Sequence, residues 1–203
     1  LCYAIERGYS DVVGTLLTHG ADPNLRSGTG AIPLHAAAQA GHLETLRLLL
    51  EAGAEIDVRD EQEMTPLYRA VAARAGQEMV QLLIQRGAQV NVRTAAGWTP
   101  LQEAAAGGEP RDVATPGDPD TVAVLLAGGA EVNARIGDGK TALHLAAVRT
   151  GADVVRLLLA RGAEVDARDE AGVTPLMEAL ASYQEEIAGL LLAAGATGTG
   201  ATA

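Results

Sequence analysis

Leucine-rich runs recur along the chain, each closed by Gly-Ala. The glycines are Gly20, Gly53, Gly87, Gly129, Gly162 and Gly195, at spacings of 33, 34, 42, 33 and 33 residues. A second marker keeps the same beat: Ile32-Pro33-Leu34-His35, Thr65-Pro66-Leu67-Tyr68, Thr99-Pro100-Leu101-Gln102, Thr141-Ala142-Leu143-His144 and Thr174-Pro175-Leu176-Met177. An alanine-rich stretch lies between the two markers. Self-similarity at such a period means one supersecondary unit per repeat, which buries its apolar side only against its neighbours.

Each unit reads as two helices. Thr65, Thr99 and Thr174 precede proline: a hydroxyl to cap a helix, then proline at the first helical position, where its missing N–H costs nothing. The first helix is short and alanine-rich and breaks near a glycine such as Gly8, Gly41 or Gly108. The second carries Leu48, Leu49, Leu50 and their equivalents. The Gly-Ala glycine stops it, because glycine accepts the left-handed conformation past a helix end. Turn formers follow, as in Asn133-Ala134-Arg135-Ile136-Gly137-Asp138-Gly139, and predict a tight β-turn or short hairpin before the next unit.

The residues Gly-x-Thr-Pro-Leu-His, the Ala-Ala pair and Leu-Leu-Leu-x-x-Gly-Ala-x-Val-Asn give a pattern that resembles the ankyrin repeat over nearly the whole chain. The resemblance implies an all-α fold of helix-turn-helix repeats with short β-hairpin loops, an ankyrin-repeat solenoid of about six repeats. First helices would line its concave side, second helices its convex side, and hairpins would project like fingers. We expect a single domain over 1–200, with units 1–26 (partial), 27–59, 60–93, 94–135, 136–168 and 169–200. Leu1 sits at the leucine of an incomplete motif, and neither end carries a polar cap, so the chain reads as a fragment with flanking domains in a longer protein.

Two departures stand out. Glu63 occupies the finger position held elsewhere by Gly30, Gly97, Gly139 or Gly172, which predicts a different turn there; a left-handed non-glycine costs about 1–2 kcal/mol. The 42-residue spacing carries an insertion at 107–118, with Pro110 and Pro116 and the charges Glu109, Arg111, Asp112 and Asp118. It is expected to be an exposed surface loop on the edge opposite the fingers.

Composition narrows the function. The chain has 203 residues, 26 acidic against 15 basic, and a formal charge of −11, which argues against nucleic acid and against anionic membranes. The longest apolar run, Ile187 to Ala196, is about half a membrane span, so no membrane insertion is expected. Alanine supplies 40 residues and phenylalanine none, as closely packed helices require. The single cysteine, Cys2, excludes an internal disulfide framework and a cysteine-based zinc cage, and suits a reducing compartment such as the cytoplasm.

Catalytic chemistry is not legible. His19, His35, His42 and His144 lack metal spacing, Lys140 is the only lysine, and no phosphate loop or nucleophile elbow occurs. No enzyme activity, cofactor, catalytic residue or metal site is expected. His35 and His144 hold the repeat's own histidine position, where the resemblance implies a structural hydrogen bond.

Registering the repeats reveals three columns. One reads Arg26, Arg59, Arg93, Arg135, Arg168; another Asp11, Glu44, Glu78, Asp120, Asp153, Glu186. Carboxylates at helix starts complement the helix dipole, and both columns read first as structural. The third column varies. Ahead of the cap it reads Ala31, Met64, Trp98, Lys140, Val173, and on the first helix Tyr3, Ala36, Arg69, Glu103, Leu145, Glu178. Variation at fixed geometry suits recognition. The expected function is protein–protein interaction through finger tips and the concave helix face, with Met64, Tyr68, Arg69, Trp98, Glu103 and Lys140 as contacts and Arg59, Arg93 and Arg135 at the edge. An exposed Trp98 beside Met64 and Arg69 has the composition of a hot spot. The alternative is a scaffold or regulatory domain of a larger enzyme, channel or receptor.

Overall fold

The computed structural model describes residues 1–28, 30, 32–107, 116–148 and 151–197. Among these residues the chain forms twelve α-helices in six pairs and no strand. The pairs are α1 (Cys2–Glu6) with α2 (Ser10–Thr18), α3 (Pro33–Ala40) with α4 (Leu43–Glu51), and α5 (Pro66–Ala72) with α6 (Gln77–Gln85). Then come α7 (Pro100–Ala106) with α8 (Pro119–Ala127), α9 (Ala142–Ala147) with α10 (Ala152–Ala160), and α11 (Pro175–Ala181) with α12 (Glu185–Ala193). First helices pack in one row, from α1 on α3 through to α9 on α11. Second helices make the other row: α2 packs on α4, and α6 on α8, α8 on α10 and α10 on α12.

The caps work as the composition requires. Thr65, Thr99 and Thr174 each accept a backbone N–H three residues on, from Tyr68, Gln102 and Met177. The motif leucines Leu34, Leu67, Leu101, Leu143 and Leu176 are buried together with Leu49, Leu83, Leu125, Leu158 and Leu191 of the second helices, forming one continuous core. Alanines at Ala37, Ala70, Ala104, Ala146 and Ala179 are buried in the first-helix row, which lets neighbouring helices approach closely.

The fingers are single turns closed by hydrogen bonds such as Thr94 N–H to Trp98 O (3.0 Å) and Gly97 N–H to Thr94 O (2.8 Å), without a strand ladder. Glu63 does not impose a different turn: at φ 59° it takes the left-handed conformation of Gly97 (φ 81°) and Gly139 (φ 83°), and its carboxylate is paired with Arg59 at 2.9 Å. α7 ends at Gly107 (φ 94°), its left-handed cap and the first residue of the insertion.

Residues 108–115, including Glu109, Pro110, Arg111 and Asp112, for which exposure is expected, lie outside the described residues. The ends of the insertion are anchored, and Gly107 and Gly117 are buried. The Arg74 guanidinium donates to the carbonyls of Gly107 (3.0 Å) and Pro116 (3.1 Å). At Gly117 a Cβ would stand 2.8 Å from Ala105 O and 2.9 Å from Val154 Cγ2, so only glycine passes there. Asp118 is no loop charge: it caps α8 through Thr121 N–H (3.2 Å), with Pro119 at the first helical position.

Candidate functional site

The seam between neighbouring helix pairs consumes the repeating polar residues. His144 Nε2 donates to Val173 O (3.0 Å) in the next finger, and its Nδ1 accepts from Thr141 N–H (3.2 Å) beside the Thr141 hydroxyl (2.9 Å). A carbonyl only accepts, so the ring carries its proton on Nε2. His35 makes the same bond onward, to Met64 O at 2.8 Å. But Ile32 stands where Thr141 stands in the other motif, and the buried His35 Nδ1 has no hydrogen-bond partner among the described residues. Burial holds both imidazoles below the ordinary value, against the bonds to Met64 O and Val173 O, which raise it. Gln102 keeps the capping half, Oε1 accepting from Thr99 N–H (2.9 Å), but its Nε2 donates to a different carbonyl of the next finger, Ala134 O (2.8 Å).

Tyr68 and Glu103, expected to face a partner, do not reach the surface. They are 2% and 0% exposed, and the Tyr68 hydroxyl donates to Glu103 Oε2 at 2.6 Å. A phenol is long enough to cross from one first helix to the next, and the carboxylate turns inward to meet it. The sequence signal for this pairing was there: tyrosine at a histidine position, followed by an acid on the next first helix.

The arginine column is a ladder. Arg93 donates to Gly97 O (2.9 Å) in its own finger and Arg135 O (2.7 Å) in the next. Arg135 does the same with Gly139 O (3.1 Å) and Arg168 O (2.5 Å), and Arg59 with Glu63 O (3.4 Å) and Arg93 O (3.2 Å). Carbonyls are their main partners; carboxylates add to them at Arg59, which meets Glu63 at 2.9 Å, and at Arg135, which meets Glu164 at 3.5 Å. A second ladder was missed in the sequence although its asparagine is part of the repeat motif. Asn24, Asn91 and Asn133 each donate to the Gly-Ala glycine carbonyl of the next unit and accept the N–H of Glu55, Glu131 and Glu164. Asp57 and Asp166 take the same place, accepting from Gln89 and Thr197.

The varying column sits on the face between fingers and first helices. Met64, Trp98, Lys140 and Val173 are all half-buried; Trp98 is not the fully exposed residue expected, and Ala31 lies outside the described residues. Their backbone is fixed by the finger itself. Asp60 Oδ1 accepts Met64 N–H (3.0 Å), Thr94 Oγ1 accepts Trp98 N–H (3.2 Å), and Asp169 Oδ1 accepts Val173 N–H (2.8 Å). The side chain is therefore free to differ without moving the chain.

Two clefts open on this face. One, of about 610 Å³, lies among Arg26, Gly30, His35, Asp60, Glu61 and Arg69. Arg69 is engaged there by Asp60 (2.6 Å) and Gln62 (2.9 Å). Burial raises the Asp60 pKa, but the Arg69 hydrogen bond and the backbone N–H groups of Met64 and Gln62 outweigh it and hold the carboxyl below its usual value. The other, of about 690 Å³, lies among Asp138, Lys140, Glu170, Val173, Met177 and Glu178. Lys140 Nζ donates to Glu178 at 2.7 Å, and this bond raises the lysine pKa. On the opposite side the acidic helix starts Asp11, Glu44, Glu78, Asp120, Asp153 and Glu186 are all exposed, and Arg156 bridges the last two at 2.9 and 2.7 Å. Among the described residues no group of three His, Cys, Asp or Glu is arranged to hold a metal ion, and no helix is long and apolar enough to cross a membrane.

The family profile described as ankyrin repeats (3 copies) matches residues 1–94, 53–115 and 112–199. The chain belongs to the ankyrin-repeat family. It is 40% identical over 65 residues to ankyrin repeat-containing protein P1E11.10 of Schizosaccharomyces pombe, covering 32% of this chain and 31% of that protein. It is 42% identical over 67 residues to potassium channel KOR1 of Oryza sativa subsp. japonica, covering 33% of this chain and 8% of the channel. It is 44% identical over 72 residues to SH3 and multiple ankyrin repeat domains protein 1 of Homo sapiens, covering 34% of this chain and 3% of that protein. The chain thus spans under a third of the length of these curated relatives. Ankyrin repeats are a protein-interaction module, and the shared stretches sit in a channel and in a protein named for SH3 and ankyrin domains alike.

Proposed function

We propose that this chain is a non-enzymatic interaction module that grips another protein between its finger tips and the first-helix face. The observation that carries the reading is the clamped finger: Asp60, Thr94 and Asp169 fix the backbone of Met64, Trp98 and Val173, while the side chains presented there differ. Met64, Arg69, Trp98 and Lys140 are the contacts. Arg59, Arg93 and Arg135, exposed along the fingers, form the rim, and the Tyr68–Glu103 pair holds the floor beneath. The module is one domain over 1–200, with its units divided at 26, 59, 93, 135 and 168.

A second reading is a scaffold or regulatory domain within a larger protein, favoured by the likeness to a short stretch of a potassium channel. Affinity purification with the wild-type chain and with Trp98→Ala, followed by calorimetry on the recovered protein, tests the first. A partner that binds both chains equally would place recognition elsewhere.

A further inference from the structure

The two clefts differ in charge, and the difference specifies what the partner brings. The cleft among Arg26, Asp60 and Arg69 is nearly balanced, because two guanidiniums stand among its carboxylates. The cleft between the last two fingers holds Asp138, Asp169, Glu170 and Glu178 against Lys140 alone. That lysine is ion-paired with Glu178 at 2.7 Å. Asp138 and Glu170 are exposed at the mouth, and no ion pair engages either among the described residues. They are held side by side by a bond between fingers, Glu170 N–H to Asp138 O at 2.9 Å. The floor is apolar, made by Val173 and Met177.

Such a cleft matches a side chain with an aliphatic stem and a cationic head. We propose that it receives an arginine or lysine of an extended partner segment whose apolar residue rests on Trp98. This rests on the interaction reading above and adds the partner's chemistry and register. From the Trp98 finger to the joint of the last two fingers is about one and a half units. At about 8–10 Å between packed helices this is about 12–15 Å, or about four residues of extended chain. The segment therefore reads apolar-x-x-x-Arg or Lys, with its basic end toward α11.

The test uses three synthetic nine-residue peptides in a Gly/Ser background, with leucine and, four residues on, arginine, glutamine or glutamate. Binding is read by fluorescence of Trp98, the only tryptophan. The arginine peptide is expected to bind at least tenfold more tightly than the glutamine peptide, and the glutamate peptide more weakly than either. Asp138→Asn with Glu170→Gln is expected to reduce the arginine peptide to the glutamine level. Glu44→Gln with Glu78→Gln, which removes the same charge from the opposite side, is expected to change affinity less than twofold.

Equal affinity for the three peptides, or equal loss from either pair of substitutions, would overturn the cation site and leave only net-charge attraction. If no peptide binds, the cation site falls too. The interaction reading then stands or falls on whether the purified partner discriminates Trp98→Ala.

Discussion

The seam between helix pairs and the face above it are built from the same fingers and follow opposite rules. At the seam, residue type repeats because each side chain has a bond to make at a fixed distance: Arg93 to the Arg135 carbonyl, Asn91 to the Gly129 carbonyl, His144 to Val173. On the face, Met64, Trp98, Lys140 and Val173 share a backbone position and nothing else, because Asp60, Thr94, Asp138 and Asp169 take over the anchoring. Repetition in this chain marks what holds the stack together; the half-buried varying residues are the proposed contacts, whereas Glu103, also at a varying position, is drawn into the stack by Tyr68.

The sharpest way to break that contrast is at a seam residue with every bond made. His144→Ala is expected to cost about 3 kcal/mol in denaturant unfolding, since it strands the Thr141 N–H and Val173 carbonyl in a buried site. His35→Ala should cost less, because Ile32 already denies it the capping half of the arrangement. Tyr68→Phe is expected to destabilise by about 1–3 kcal/mol through loss of the hydroxyl that meets a buried carboxylate.

Ile32→Thr sharpens the contrast in the other direction. It supplies the hydroxyl that His35 Nδ1 lacks, and is expected to stabilise by about 1 kcal/mol, the worth of a threonine cap. The smallest effect is with pH. Burial lowers the pKa of His35 and His144 in the folded chain, so the unfolded chain takes up protons first. Their contribution is complete above the ordinary imidazole value of about 6.5 and is lost as pH falls below it toward the folded values. Urea midpoints at pH 7.5, 6.5 and 5.5 should decline in that order. The decline should shrink when both histidines are replaced by Gln, which is also what Gln102 supplies at the same position.

Much of this was legible in the residues. Period, caps, stop glycines and the paired helices follow from local chemistry, which depends on neighbours along the chain. The structural role of the arginine column was also legible, though its partners were not: carbonyls carry no residue signature. Tyr68 and Glu103 were misplaced as surface contacts because the bond joining them spans 35 residues, and only the stacking of α5 on α7 brings them together. Glu63 was misjudged for a related reason. The finger closes through backbone bonds at both ends, Asp60 N–H to Met64 O and Glu63 N–H to Asp60 O, and that closure outweighs the residue's own reluctance at φ 59°.

The central claim is that recognition belongs to the varying column and stability to the repeating one, and one finger carries both. Calorimetric affinity for the purified partner, measured beside thermal unfolding, on Trp98→Ala and Arg93→Ala decides it. The account predicts that Trp98→Ala weakens binding by about 2 kcal/mol or more, about 30-fold, with about 1 kcal/mol or less lost in stability. Arg93→Ala, deprived of its bonds to Gly97 and Arg135, should lose about 1 kcal/mol of stability and less than about threefold in affinity. The reverse pattern, with Trp98→Ala unfolding the stack at unchanged affinity and Arg93→Ala abolishing binding, would contradict it.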